Sequence, residues 1–175
     1  PAYDDISALQ YTGGTTGVSK GVMLTQGSLM SNVAQTMAMV SAGGRSVTHF
    51  TTVSPLPLYH IYAWMLNMGL MPATRGHSVL IPDPRNIPMF VGAIKSLKFE
   101  IFCGLNSLFV TLLQDSKFQK LDFSKLQITL SGGMALMDAV AEEWHQATGC
   151  VVSEGYGMTE ASPVISMNPS GFEKI

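Results

Sequence analysis

Apolar positions along this chain follow two alternating rhythms. Short runs rich in β-branched residues predict strands at Ile6–Thr12, Gly21–Thr25, Val47–Val53, His77–Ile81, Phe99–Gly104, Leu126–Leu130 and Cys150–Gly155. Between them, apolar residues recur at helical spacing. Leu29, Val33, Met37 and Val40 predict a helix over Ser28–Ser41, ended by Gly43 and Gly44. Further helices are predicted from His60 to Met71, closed by Pro72, and over Ile87–Leu97, Ser107–Gln114 and Leu136–Ala147. The last puts Leu136, Val140, Trp144 and Ala147 on one stripe, with Glu142, Glu143 and Gln146 elsewhere, which marks a packing helix. Alternation of this kind predicts an α/β fold, with βαβ units around a largely parallel sheet buried on both faces. No internal repeat, low-complexity tract or flexible linker breaks the pattern.

Composition adds a constraint. Charged residues make up 13% and hydrophobic residues 46% of the chain, against roughly 25% charged in ordinary soluble domains. Too few charges are available to coat the surface, so the expectation is either self-association or a place inside a larger protein. With Pro1 in place of Met and an unremarked "SGFEKI" at the other end, the expectation is an excised segment. The net charge is −2. No basic run or aromatic–basic interleaving is present, which removes the electrostatic basis for nucleic-acid binding. The apolar run around Ile61–Met71 is broken by Asn67 and Gly69; it is shorter than the ~18 residues that signal a membrane span. Without a signal peptide, the expected location is cytoplasmic; peripheral membrane association at its inner face and homo-oligomer formation stay open. Cys103 and Cys150 sit in apolar runs and are expected to be buried thiols. His49, His77 and His145 lack metal-ligand spacing, so no zinc site is expected.

The densest chemistry lies in "YTGGTTGVSKG", Tyr11–Gly21. Gly13, Gly14 and Gly17 let backbone N–H groups approach an anion closely. Thr12, Thr15, Thr16 and Ser19 add hydroxyl donors, and Lys20 adds a charge for a phosphate oxygen. The common nucleotide loop G-x-x-x-x-G-K-[ST] requires a hydroxyl after the lysine, but Gly21 follows Lys20. A mobile polar hairpin loop would have similar composition; donor density plus the lysine favours phosphate binding. "LSGGMAL" (Leu130–Leu136) places Ser131, Gly132, Gly133 and Met134 where a strand gives way to a helix. Backbone there can lie against a flat base, although a plain strand-to-helix turn explains the residues too. "EGYGMTE" also follows a strand: Tyr156, between Gly155 and Gly157, is free to stack on a base. Beyond Met158, Thr159 offers a hydroxyl and Glu160 a hard oxygen for a metal, while Glu154 reads equally well as structural. His60 and Trp64 lie four apart on one helix face. On the residues alone, His60 is a helix-start hydrogen bonder and Trp64 a core aromatic.

These stretches together resemble adenylate-forming enzymes, the acyl- and aryl-CoA synthetases, luciferases and peptide-synthetase adenylation domains. "YTGGTTGVSKG", "PLPLYHIYAW" (Pro55–Trp64), "LSGGMAL" and "EGYGMTEASP" (Glu154–Pro163) occur in that family's order across nearly the whole chain. "GLNSLF" (Gly104–Phe109), "LDFSKL" (Leu121–Leu126) and "EGYGMTE" are most similar to bacterial long-chain fatty-acid–CoA ligases. Ser19 departs from the pattern, standing where proline is common. The resemblance implies that residues 1–175 form the central part of a large amino-terminal AMP-binding domain. It also implies that ATP and coenzyme A are co-substrates, Mg²⁺ a cofactor on Glu160, and a fatty acid the acid. It further assigns Gly132–Gly133 to the adenine pocket, Thr159 to the α-phosphate and His60 to the border of the acyl site, and offers Trp64 as a tunnel wall. The family's ribose-binding aspartate, hinge and carboxy-terminal lysine lie beyond this sequence, so the segment alone is expected to be weak or inert. An aryl- or amino-acid-activating enzyme, or a noncatalytic nucleotide-binding or interaction module, are the alternative readings; the apolar "FVTLL" and "YAWML" favour a fatty chain.

Overall fold

The parallel strands dictate the layout, because each must be reached by a crossover rather than a hairpin. In the computed structural model, which describes residues 1–12, 19–42 and 48–169, β1 (Ile6–Thr12) and β2 (Lys20–Thr25) form a two-stranded antiparallel sheet. Thr25 ends β2 and caps α1 (Gln26–Ser41), its Oγ1 accepting from the Ser28 N–H at 3.1 Å. Next come β3 (Thr51–Ser54), α2 (Ile61–Trp64), a π-helical segment (Met65–Leu70), α3 (Met71–Ala73) and β4 (His77–Leu80). The chain continues through α4 (Ile87–Ile94), β5 (Ile101–Gly104), α5 (Asn106–Leu113), a 3₁₀ turn (Phe118–Lys120), β6 (Ile128–Gly132) and α6 (Asp138–Thr148). It ends with β7 (Val152–Gly157), a 3₁₀ turn (Thr159–Ala161) and β8 (Val164–Met167).

The larger sheet has six strands in the order β4-β3-β5-β6-β7-β8, parallel except for the antiparallel β7–β8 pair. The chain steps from β3 to β4, returns past β3 to β5, and then continues outward to β6 and β7. Right-handed crossovers therefore send α2–α3 to one face and α4, α5 and α6 to the other. The two buried clusters follow that division. On one face Phe90, Phe102, Phe109, Phe118 and Trp144 pack together, with the Phe109 and Trp144 rings 4.6 Å apart. Trp144 also donates its Nε1–H to Thr129 Oγ1 at 3.0 Å, so the indole is buried with its polar atom satisfied. On the other face Leu29, Val33 and Val40 of α1 and Ile61, Met65 and Leu66 meet Ile101, Cys103, Ile128 and Leu130 of the sheet. Residues 101 to 103 thus alternate faces, as strand geometry requires.

The predicted elements are present, with shifted ends. The strand expected over Val47–Val53 is confined to Thr51–Ser54, with Val47, like Gly43 and Gly44, outside the described residues. The helix expected from His60 contains the π-helical segment and continues through Pro72 instead of closing there, with the wider π-helical turns immediately before the proline. Strand β8 was not anticipated. It is held against α1 by Asn32, buried in the middle of that helix. Asn32 Nδ2 donates to the Val164 carbonyl at 2.7 Å, and Oδ1 accepts from the Val164 N–H at 3.0 Å. Replacing Asn32 with Leu strands both backbone groups, so the Asn32→Leu protein is expected to lose roughly 1–3 kcal/mol of stability in urea unfolding.

Candidate functional site

A cavity of about 470 Å³ opens where α1, α2 and the π-helical segment face the carboxyl ends of β6 and β7. Its two ends differ in chemistry. At the polar end lie Thr12 and Lys20, His60, Ser131–Gly133, and the run from Gly155 to Glu160. Toward the interior, Met65, Leu66, Leu70, Leu130, Val164 and Met167 make the wall apolar.

Each polar residue arrives by a definable local route. Thr12 and Lys20 face each other across the β1–β2 register, and β2 packs against the 3₁₀ turn carrying Thr159 and Glu160. This brings the one described lysine of the glycine-rich stretch to the same cavity as the carboxylate 140 positions later in the chain. Gly132 and Gly155 are paired across β6 and β7. A Cβ on Gly132 would sit 3.3 Å from the Tyr62 ring and 3.4 Å from the Gly155 carbonyl, so bare backbone is what fits there. Gly133 has φ +80, a left-handed conformation open chiefly to glycine. At Gly157 a Cβ would overlap the Pro163 carbonyl, which instead accepts from the Met158 N–H at 3.0 Å. That contact folds the β7–β8 connection back and turns Thr159 and Glu160 toward the cavity.

His60 performs two tasks. It caps α2, Nδ1 accepting from the Tyr62 N–H at 3.2 Å, which leaves Nε2 to carry the proton of the neutral ring and to donate. It also lines the cavity, as do Ile61 and Tyr62 that follow it. Below it, the Tyr62 ring borders the cavity while its hydroxyl reaches inward and donates to the Leu130 carbonyl at 3.2 Å. Cys103 is fully buried beside the Tyr62 and Thr52 hydroxyls. Burial pushes its thiol up from 9.0 to about 12, against a smaller opposing effect of those two hydroxyls. Burial, then the neighbouring Cys103, raises the Tyr62 hydroxyl as well. Cys103 and Cys150 are both buried thiols outside any disulfide, as their apolar surroundings in the sequence lead one to expect.

Most of the anticipated site residues that fall within the described part of the chain come together here. Thr12, Lys20, His60, Ser131, Gly132, Gly133, Gly155, Tyr156, Gly157, Met158, Thr159 and Glu160 all line the cavity, and Tyr156 is 63% exposed at its mouth. Gly13, Gly14, Thr15, Thr16 and Gly17 lie outside the described residues. Ser19, Met134 and Glu154 are not among the lining residues. Met134 is 54% exposed, whereas Glu154 is half-buried and accepts from the Leu136 N–H at 3.4 Å, supporting the turn into α6. Trp64 packs against the second core cluster and does not line the cavity. Sequence reasoning missed Thr36, Tyr62, Val164 and Met167. Thr36 and Tyr62 had a detectable helical period, but nothing local marks the strand that carries Val164. For a divalent cation, the chain offers Glu160 as an exposed carboxylate, and no group of three His, Cys, Asp or Glu gathers among the described residues. One carboxylate with space for phosphate and water oxygens is a donor set suited to magnesium.

The whole arrangement belongs to a known class: residues 1–174 match the AMP-binding enzyme family, and the chain is a member of it. A long-chain-fatty-acid–CoA ligase of Haemophilus influenzae is 45% identical over 168 residues, covering 95% of this chain and 30% of that protein. A 4-coumarate–CoA ligase of Pinus taeda is 35% identical, covering 94% and 31% respectively. The crystal structure of ATP-bound MatB from Rhodopseudomonas palustris superposes with a TM-score of 0.80 at 26% identity, over all of this chain and 33% of that one. The chain thus spans about 30% of the length of the curated relatives it matches. Among the described residues no helix is long and apolar enough to cross a membrane.

The buried thiol gives a prediction with a definite sign. Cys103 ionises more readily in the unfolded chain than in the folded one. Its contribution to stability is therefore complete below pH 9.0 and is lost as pH rises toward about 12. The midpoint of urea unfolding is expected to fall across that window, and to fall less steeply in Cys103→Ala. Equal slopes in the two proteins would place the loss elsewhere.

Proposed function

We propose that the protein carrying this chain activates a long-chain fatty acid with ATP, forming an acyl-adenylate and pyrophosphate, and then transfers the acyl group to coenzyme A. The observation that carries this reading is the single cavity with a lysine, hydroxyls and a carboxylate at one end and an apolar arm at the other. A phosphate chain and a fatty chain need opposite surroundings, and here the two lie end to end. The names of the most similar relatives support the same choice of acid.

The reaction asks little acid–base chemistry of the protein. A carboxylate is already a nucleophile at neutral pH, so the first step requires alignment with the α-phosphorus and stabilisation of charge on the phosphates. Lys20 and the glycine-rich residues 13–17 hold the β- and γ-phosphates that leave as pyrophosphate. Thr159 donates to the α-phosphate. Gly132, Gly133 and Gly155 present bare backbone to the adenine, and Tyr156 stacks on it. His60 donates from Nε2 to the fatty carboxylate and keeps its head near the α-phosphorus while its tail lies along Met65 and Leu66. Glu160 holds magnesium, which when bound neutralises charge on the phosphate oxygens. In the second step the thiol of coenzyme A attacks the acyl carbon and AMP departs, its charge met by the same donors.

Pyrophosphate exchange with the intact enzyme, run over fatty, aryl and amino acids, tests the reading. Exchange is expected with long-chain fatty acids; exchange only with coumarate-like or amino acids would replace the substrate, and no exchange with any acid would leave a binding module. Glu160→Gln is expected to lower the exchange rate by about 10²–10³, the usual scale for removing one charge-stabilising group, and to raise the magnesium concentration needed for half-maximal rate. Lys20→Ala is expected to raise the KM for ATP more than that for the acid, as measured by initial rates with each substrate varied in turn.

A further inference from the structure

Beyond the apolar arm lies a second, smaller void of about 10 Å³ on the same face of the sheet. Phe50, Met71, Ile101 and Ile128 surround it, with Thr74, whose hydroxyl is already committed to the Leu70 and Met71 carbonyls at 2.9 and 3.2 Å. No unsatisfied polar side chain faces it from these residues, and a void of this size with apolar walls stays dry. Two residues line both this void and the main cavity: Leu70, which ends the π-helical segment, and Leu130 of β6. Both are buried, at 6% and 7% exposure. Along β6 the main cavity runs from Gly132 to Leu130, and the void continues from Leu130 to Ile128, the next side chain on that face.

We infer that Leu70 and Leu130 form the partition at the end of the acyl arm and set the longest chain the site admits, so that shortening either side chain joins the arm to the small void beyond. The proposal rests on the fatty-acid reading above. Two features support the partition over plain core packing. The same two side chains, and no other described lining residues, bound both spaces. The space behind them is empty and apolar, so moving or shortening either leucine lengthens the arm rather than opening it to water.

The test is the ratio of kcat/KM for hexadecanoic acid to that for decanoic acid, measured as adenylation by the intact enzyme. Leu70→Ala is expected to raise this ratio at least about fourfold, the worth of one newly buried methylene, and Leu70→Phe to lower it by a similar factor. The ratio is taken within each variant, so a loss of folded protein cancels. Leu130→Val supplies a milder opening and is expected to move the ratio in the same direction as Leu70→Ala. Unchanged ratios, or a shift of the same sign in Leu70→Ala and Leu70→Phe, would overturn the partition while leaving the fatty-acid reading intact. A wild-type enzyme that adenylates no fatty acid would remove that reading, and the partition with it.

Discussion

A parallel sheet leaves its strand ends in a predictable place. Hydrogen-bonded strands running the same way must be joined by crossovers of one hand, and those crossovers cover both faces with helices. Between the two edge strands, the backbone left open to a ligand is at the strand termini. In this chain that constraint gathers the turn after β6, the turn after β7 and the start of α2 at one edge. The site is a consequence of topology before it is a consequence of chemistry. The residues with polar function then occupy positions that the sheet has already brought together.

The same constraint divides the cavity. Its polar end lies at and beyond the strand ends, where β6 stops at Gly132, Gly133 turns away and β7 stops at Gly157. Its apolar end lies alongside β6, over a strand whose hydrogen bonds are complete and whose outward side chains are Leu130 and Ile128. Moving a few residues along one strand therefore takes a ligand from bare glycine backbone to hydrocarbon. Capping α2 fixes the His60 Nδ1, and the same residue lines the cavity.

What was legible in the sequence was what is local. The parallel strands and the major helices announce themselves through spacing, and the three glycine-bearing segments through their composition and their place after strands. Thr12, Lys20, Gly132, Tyr156 and Glu160 could be named because each sits in a short motif whose residue types match a chemical need. The misses share a different origin. Asn32 reads as an ordinary polar residue in a helix, and Val164 as one residue of a brief run after a proline. Their two hydrogen bonds span 132 positions, and no local period encodes such a pair. Glu154 and Met134 adjoin motif residues without lining the cavity: Glu154 accepts from the Leu136 N–H at the turn into α6, in keeping with its structural reading, and Met134 is exposed.

The scarcity of charge also acquires a physical meaning. Tyr3, Ile6, Leu9, Tyr11 and Met23 are all more than half exposed, and they cluster on or beside the β1–β2 hairpin that delivers Lys20. A two-stranded ribbon of that kind is marginal on its own in water. Among the described residues the hairpin meets the main body through Leu24, Ala8 and Val22 against the second core cluster, through Gln10, which donates to the Tyr59 carbonyl, and through Thr25, the start of α1 and the 3₁₀ turn bearing Glu160. The relatives are about three times longer than this chain, and an exposed apolar ribbon is where added protein surface would gain most by packing. The apolar part of the cavity is walled instead by side chains of the π-helical segment and β6 together with Val164 and Met167 of β8.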